Sequence, residues 1–592
     1  MQITIPAKES KTWTQRNDGD YAGILNSTRN IDLTRKGVAR LSERMAYINR
    51  YDATSSTFDE CLAIAFGDFI SANTYKYWFI TSDKIYTMNT DWTSMAVDGT
   101  AGSPNMSIYS DGCAFNGDLY VSTASQLCKL VLGTWTTTGV ITTGYTNTTS
   151  PHPVEPLFNN LIATGDKNKI HTVSSTGTIA MNVITLPTNY EILWIRSTAD
   201  RVFIGTRHLK GLNAKVYEWD GVSATYSFEY EVETTRILSG VIWKGSLYCF
   251  TLDGRIIRFN GGGFSTDAQL PFYKYSENVY PEGSPIQITT QRGMITSDDE
   301  ILIAINPQIL KKSSITGERT YYPNTMAGVW AFNPEVGFYH KYGFNIDTSL
   351  DFANSYGVKA RALFKVPEDI TISSTTTTYN SLIASGYITA SDATNYHVAM
   401  ALKPNTNNRG VIALQKVDSY SADENWKTVL IKFAKLYTSA DKIVVKYKIK
   451  ERDNLPLTSG IISGTNATWT SSATFTSADS NLSNILAEDE ITILDRYGAG
   501  SSAHVSSISS SAGTYTVTLD EAIGTTSGTF SFIVEPYIKL GIITNDDQSK
   551  GFKLFNIPSK NISRSISIKC ELRGEDVEVE EIIVSSENNV TL

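Results

Sequence analysis

The chain reads as all-β: a six- or seven-bladed β-propeller followed by a β-sandwich-like domain that carries a small inserted β-barrel. Three observations predict this. Apolar runs are short, alternate with polar residues and are built from β-branched and aromatic types. A hairpin-like phrase returns along the first half of the chain at a nearly constant spacing. Beyond that series the composition shifts toward Ser, Thr and Gly, with short strands separated by Gly-rich turns.

The phrase is clearest in "VIWKGSLYCFTLDGRIIRFNGGG", Val241 to Gly263, where two alternating runs flank a tight turn. The same layout appears from Tyr77 to Trp92, Asp118 to Trp135, Asn160 to Val173 and Asp200 to Gly221. Corresponding positions are Phe79, Tyr120, Ile162, Phe203 and Tyr248, at steps of 41, 42, 41 and 45 residues. Ile303 follows after a longer step of 55. A repeat of this length matches one four-stranded propeller blade. Rungs of a β-solenoid, the competing repeat architecture, are usually shorter and lack a tight hairpin in each repeat. Aromatics recur at or just beyond the second strand of these hairpins: Trp92, Trp135, Trp219, Phe264 and Phe338. Such side chains would fill the wedge between neighbouring blades, because a single blade cannot bury both of its apolar faces alone.

The remaining ring elements are expected at the margins of the series. "CLAIAFG", Cys61 to Gly67, pairs within the first blade. "GVKARALFKV", Gly357 to Val366, and "NYHVAMALK", Asn395 to Lys403, supply one or two further blades. The N-terminal segment is placed to complete the last blade and close the ring. Domain limits follow: an arm or closing segment over 1–50, the propeller over 51–426, the sandwich over 427–451 and 534–592, and the barrel inserted over 452–533. Insertions are best tolerated at exposed loop tips. The arm also carries Arg29, Arg35, Lys36, Arg40, Arg44 and Arg50, read as a solvated or protein-contacting face.

The net charge is -9, which argues against a general affinity for a nucleic-acid backbone. No stretch approaches the continuous apolar length of a transmembrane helix, and no secretory leader is expected from "MQITIPAKESKTWTQ". The five cysteines, Cys61, Cys113, Cys128, Cys249 and Cys570, are scattered and read as buried thiols, although Cys113 and Cys128 could meet across a hairpin.

Catalytic and ligand motifs are sparse. None of His152, His171, His208, His340, His397 and His504 has close metal-ligand spacing. No nucleophile elbow or P-loop appears. "FNGGGF", Phe259 to Phe264, reads as a strand-end loop, because no helix follows to complete a phosphate cradle. "NDGDY", Asn17 to Tyr21, and "SDD", Ser297 to Asp299, are acidic turns without calcium-loop spacing. A glycan hydrolase would need two carboxylates about 5–9.5 Å apart, a pair that sequence cannot display. The expectation is therefore no catalytic, cofactor-binding or metal site.

The N-terminal "RNDGDYAGILNSTRNIDLTRKGVARLSERM", Arg16 to Met45, and the hairpin style of "KVYEWDG" and "LYCFTLDGRIIRFNGGG" resemble bacteriophage tail-associated β-propeller structural proteins. The segment from "ATWTSSATF" to "YTVTLDEAI" resembles small barrel insertions of phage virion proteins. The resemblance covers roughly 16–350 and 465–525 and rests on texture and layout. It implies a non-enzymatic structural part of a tail (nozzle, ring or baseplate), assembled in the host cytoplasm and located in the virion. Its implied partners are further copies of itself and other phage tail proteins, with contact to DNA passing a channel but no specific nucleic-acid binding and no membrane span. The alternative is a carbohydrate-binding propeller, receptor-binding or lectin-like, with a glycan hydrolase behind it.

Overall fold

A computed structural model of the chain describes residues 2–5, 25–51 and 61–586, apart from 271–290, 344–358, 450–462 and shorter segments. Among the described residues, seven four-stranded antiparallel sheets follow one another around a ring. Their innermost strands are Cys61–Gly67, Asp111–Phe115, Val154–Leu157, Tyr190–Ser197, Ile237–Trp243, Met294–Thr296 and Lys359–Lys365. Each lies beside the next, and the seventh lies beside the first, so the ring is closed. The repeat positions Phe79, Tyr120, Ile162, Phe203, Tyr248 and Ile303 all fall on the second strand of a blade.

Tight turns set the hairpins. Asn116–Gly117 and Lys244–Gly245 take consecutive positive φ values of 52° and 83°, and 47° and 80°. That geometry matches the twist of the flanking strands. Trp219 and Phe338 are buried in the wedges between blades, as is Trp135. Trp92 lies outside the described residues. Trp194 of the fourth blade shows how tightly the wedge packs: a Cβ placed on Gly240 of the fifth blade would meet its ring at 2.8 Å.

The seventh blade gathers Lys359–Lys365, Leu382–Thr389 and Thr394–Leu402, and Arg44–Tyr51 pairs with the last as its outermost strand. The N-terminal segment thus closes the ring, and the two late strand runs share one blade. The longer step to the sixth blade reflects the approach segment before Gln291. That blade also carries an extra hairpin, Ile309–Lys312 with Arg319–Tyr322, between its second and third strands.

The sandwich corrects the expected limits. One sheet holds Leu25–Arg29, Arg409–Leu414, Ser565–Arg573, Lys442–Ile449 and Ile538–Thr544 in that order. The other holds Ile31–Asp32, Ala39–Leu41, Glu578–Ser586, Glu424–Phe433 and Phe552–Asn556, with Gln2–Ile5 also on Glu578–Ser586. Arg409–Leu414, Val417–Asp418 and the start of Glu424–Phe433, expected in the ring, therefore serve the sandwich, and the described strands of the 1–50 arm divide between sandwich and ring. The reason is that Val411 and Ile412 complete a sheet beside Glu571 and Cys570, a partner strand far away in sequence. Lys442–Ile449 and Ile538–Thr544 pair with each other, and between them sits a closed six-stranded barrel from Ser463–Ser471 to Thr529–Val534. Trp469, Phe475, Phe530 and Phe532 fill it.

Sandwich and ring share one apolar core. Ile31, Trp426, Ile431, Ile568 and Val584 pack in the same cluster as Leu302, Val329, Tyr339 and Leu363 of the sixth and seventh blades.

Candidate functional site

A ligand or catalytic centre in a propeller would be sought on the ring axis, where the innermost strands converge. In this chain the axis is bridged. The single turn Gln291–Gly293 immediately precedes the first strand of the sixth blade. From there it reaches four other blades. Gln291 donates through Nε2 to Asp111 of the second blade. Its carbonyl accepts from Arg196 of the fourth blade at 2.7 Å and from Ser239 of the fifth at 2.8 Å. Arg292 pairs with Asp111 and with Glu155 of the third blade, each at 3.2 Å, and Arg196 pairs with Glu155 at 3.4 Å.

Burial pulls the Arg196 guanidinium below its ordinary pKa. Burial acts the same way on Arg292, but the carboxylates of Asp111 and Glu155 outweigh it and hold that guanidinium above its ordinary value. Acid–base hydrolysis of glycosides needs one carboxyl kept protonated while the other is ionised. Here both carboxylates are matched by guanidinium groups, an arrangement that neutralises charge and ties blades together.

Two further charge clusters lie at the joints between units. At the ring–sandwich joint, Lys341 of the sixth blade pairs with Glu300 and reaches Asp32 of the sandwich at 3.6 Å. Burial works against the Lys341 ammonium, but Tyr342, Glu300 and Asp32 together hold its pKa raised. At the barrel–sandwich joint, barrel residues Glu490, His504 and Asp520 face sandwich residues Arg409, Lys446, Lys569, Glu571 and Arg573. Lys569 binds Glu490 at 2.6 Å, Lys446 binds Glu571 at 2.6 Å, and Arg573 bridges Glu571 at 3.1 Å and Asp520 at 3.3 Å. His504 Nε2 lies 2.6 Å from a Glu571 carboxylate oxygen without hydrogen-bond geometry, and its Nδ1 faces the Arg409 guanidinium, which can only donate, at 2.5 Å. Burial lowers the His504 pKa against the opposing pull of Glu571.

Glu490, His504 and Glu571 offer ligand atoms within 4.8 Å of one another, which by distance alone makes the cluster a candidate metal centre. Its donor set does not fit one. Lys569 and Lys446 already occupy carboxylate oxygens of Glu490 and Glu571, and a divalent cation would have to displace buried ammonium groups. The cluster is a structural ion-pair network.

The other described histidines are dispersed among the blades and serve local packing. His152 donates from Nδ1 to the Gly165 carbonyl at 3.0 Å, and His171 accepts from the Asn182 backbone at 3.0 Å. His208 accepts from Lys210 and Leu212 in a turn, and His340 meets Trp330 edge-on. The side chain of His397 and the turn Asn17 to Tyr21 lie outside the described residues. Ser297 and Asp299 sit in a turn closed by Ser297 N–H to the Glu300 carbonyl. Phe259 and Phe264 pair across the "FNGGGF" turn of the fifth blade. All five cysteines are buried free thiols, and Cys113 pairs in register with Tyr120, not with Cys128.

Sequence reasoning did not single out Asp111, Glu155, Arg196 and Arg292. A signal was present: Asp111, Glu155, Arg196 and Ser239 stand on the inner strands of four successive blades at steps of 44, 41 and 43 residues. Polar groups recurring on the blade period inside apolar strands point toward the axis.

No family model matches the chain, and no curated protein matches it. Among solved structures it is similar to a chain of the BBS1N–ARL6DN complex, with a TM-score of 0.38 and 10% identity over 61% of this chain and 97% of that one. It is also similar to a chain of the Mitotic Checkpoint Complex, with a TM-score of 0.34 and 12% identity over 60% and 95%. The computationally designed Ika8 protein gives a TM-score of 0.34 and 10% identity over 59% and 98%.

Proposed function

We propose that the chain is a structural component of a bacteriophage tail, a nozzle, ring or baseplate part that acts by symmetric assembly and protein–protein contacts. The observation that carries this reading is the bridged axis. The position where a propeller would open a ligand site is occupied by its own Gln291–Arg292 turn, with the charges matched internally. The shared core and the buried ion pairs join ring, sandwich and barrel into a stiff body. Stiffness with internally satisfied charge suits a part that transmits position to neighbours. The resemblance of the N-terminal segment and of the inserted barrel to phage virion proteins supports the placement in a tail. Trp135 and Trp219, expected to fill blade wedges, are buried and offer a glycan no stacking platform. Any DNA channel would be one that an assembly surrounds, because the chain's own ring axis is bridged.

The test is the solution mass of the full chain by light scattering, alone and with purified tail proteins. A closed oligomer, or one that forms on adding a tail protein, is expected. A persistent monomer that joins nothing would overturn the reading, and glycan-array binding by that monomer would replace it.

A further inference from the structure

The three units are not joined alike. Sandwich and ring are fused through one apolar core, so parting them would expose buried aliphatic and aromatic side chains to water. The barrel has a core of its own. Trp469, Phe475, Ile491, Val517 and Phe532 pack in a cluster that holds no sandwich residue. The six barrel strands close on one another, and among the described residues none pairs with a strand of the sandwich. What crosses this joint is charge.

The sandwich sheet under the barrel has two unlike faces. Arg409–Leu414, Ser565–Arg573 and Lys442–Ile449 are neighbouring strands, and alternate residues along each point to opposite sides. One side sends the register partners Ile412, Cys570 and Val445 into the shared core. On the other side Arg409, Arg573 and Lys442 form one row, and Lys569 and Lys446 another. Glu571 lies between the two rows. Val411, Val444 and Ala413 are the apolar members of these rows, too few to make a core. Against the five cations the barrel rim sets four carboxylates. Glu490 meets Lys569 at 2.6 Å; Glu488 and Asp520 meet Arg573 at 3.0 and 3.3 Å; Asp520 and Glu521 meet Arg409 at 2.9 and 3.0 Å. The two faces are complementary in charge. Their hydrogen bonding is incomplete, since Nε of Arg573 and Nε2 of His504 are buried without a hydrogen-bond partner among the described residues.

We propose that the barrel is held on the sandwich by an ionic latch and lifts off this sheet face as an intact folded unit, uncovering the cationic rows. The reason is energetic. Desolvation consumes much of the attraction between buried charges, so a joint made of ion pairs is close to balance, and opening it returns every charged group to water. Opening the barrel or the sandwich itself exposes an apolar core, which is disfavoured. Partial openings of a folded chain start where the least apolar surface is uncovered, and here that place is the latch. The barrel stays tethered, because it is inserted between Lys442–Ile449 and Ile538–Thr544. With the latch closed, ring, sandwich and barrel form the stiff body described above; the latch is where that body opens. The inference does not depend on placement in a tail.

The test is a distance measured on the full chain by pulsed dipolar spectroscopy. Spin labels are attached at two exposed serines, through Ser510→Cys in the barrel and Ser439→Cys in the sandwich; the five native thiols are buried. One narrow distance distribution is expected in dilute salt. A second, longer and broader one is expected at about 1 M sodium chloride, where the freed charges are screened. Glu490→Gln combined with Asp520→Asn removes two barrel carboxylates at nearly constant shape, and should raise the longer population about tenfold or more in dilute salt. Glu300→Gln, in the ion pair of the ring–sandwich joint, is the control and should leave the distribution unchanged. Hydrogen exchange over 514–519 and 529–534 reports whether the barrel itself stays folded. Longer distances with those strands still protected support the latch. A distribution that neither salt nor the double variant changes would overturn it. So would a longer distance that appears only together with lost protection in the barrel strands, since the barrel would then be unfolding and not lifting. Either failure leaves the light-scattering test of assembly untouched.

Discussion

Replacing Arg292 by Met removes one charge from the axial bridge and leaves a side chain of similar length. Asp111 would lose its two-point contact at 3.2 and 3.3 Å and keep Gln291; Glu155 would lose one guanidinium and keep Arg196 at 3.4 Å. Breaking a buried pair by removing one partner typically costs about 3–5 kcal/mol, because the remaining charge is desolvated without compensation. Arg292 is not fully buried, with 21% of its side chain exposed, and both carboxylates retain a partner, so the expected loss is about 2–4 kcal/mol. For a ring of this size that is a fall in the melting temperature of roughly 3–6 °C. A chain of several joined units need not unfold in one step, so a local readout is required as well. Hydrogen exchange should accelerate over 291–296 and over the inner strands holding Asp111, Glu155 and Arg196, while the barrel stays protected. A double-mutant cycle with Glu155→Gln should show coupling between the two sites. An unchanged melting temperature together with unchanged exchange at the axis would refute the idea that this turn ties the blades together.

Two further predictions concern pH. Burial pulls the pKa of His171 down to about 4, below the ordinary 6.5, so the folded state binds that proton less tightly than the unfolded chain does. Its contribution is therefore lost as pH falls from 6.5 toward 4, on the order of 1–2 kcal/mol by pH 5, and His171→Gln should flatten the acid limb of a melting-temperature profile. Asp489 has the opposite sign. Burial pushes its carboxyl up to about 6 although the Leu486 N–H donates to it, so stability is lost as pH rises through 6. Asp489→Asn keeps an acceptor for Leu486 and should stabilise the barrel at pH 7.5 by about 1–2 kcal/mol, with no gain at pH 3.5, in thermal melts followed by tryptophan emission.

The hairpins were legible because each is encoded within about twenty residues by alternation and turn chemistry. The second-strand positions from Phe79 to Ile303 could be aligned by counting alone. Pairings between distant segments left no such trace. Arg409–Leu414 is a short, almost wholly apolar run of the kind found on a blade's inner strand, and only its partner, Ser565–Arg573, decides that it belongs to the sandwich. The charge clusters were hidden for a related reason. Glu490, His504 and Glu571 are ordinary polar residues in their own strands and become a network only when the barrel is seated on the sandwich. The axial bridge lies between these cases. Asp111, Glu155, Arg196 and Ser239 follow the blade period and were readable, but Gln291 and Arg292 precede the sixth blade in a longer connection with no counterpart among the described residues of the ring. That asymmetry has a physical consequence. A turn donated by one blade and received by four others biases the ring toward a single closed arrangement, since its bonds form only when the second to fifth blades are all in place. Closure by Arg44–Tyr51 at the seventh blade acts on the perimeter, and the Gln291–Arg292 bridge acts at the centre. A ring fastened at both radii resists splaying under load more than one fastened at the rim alone.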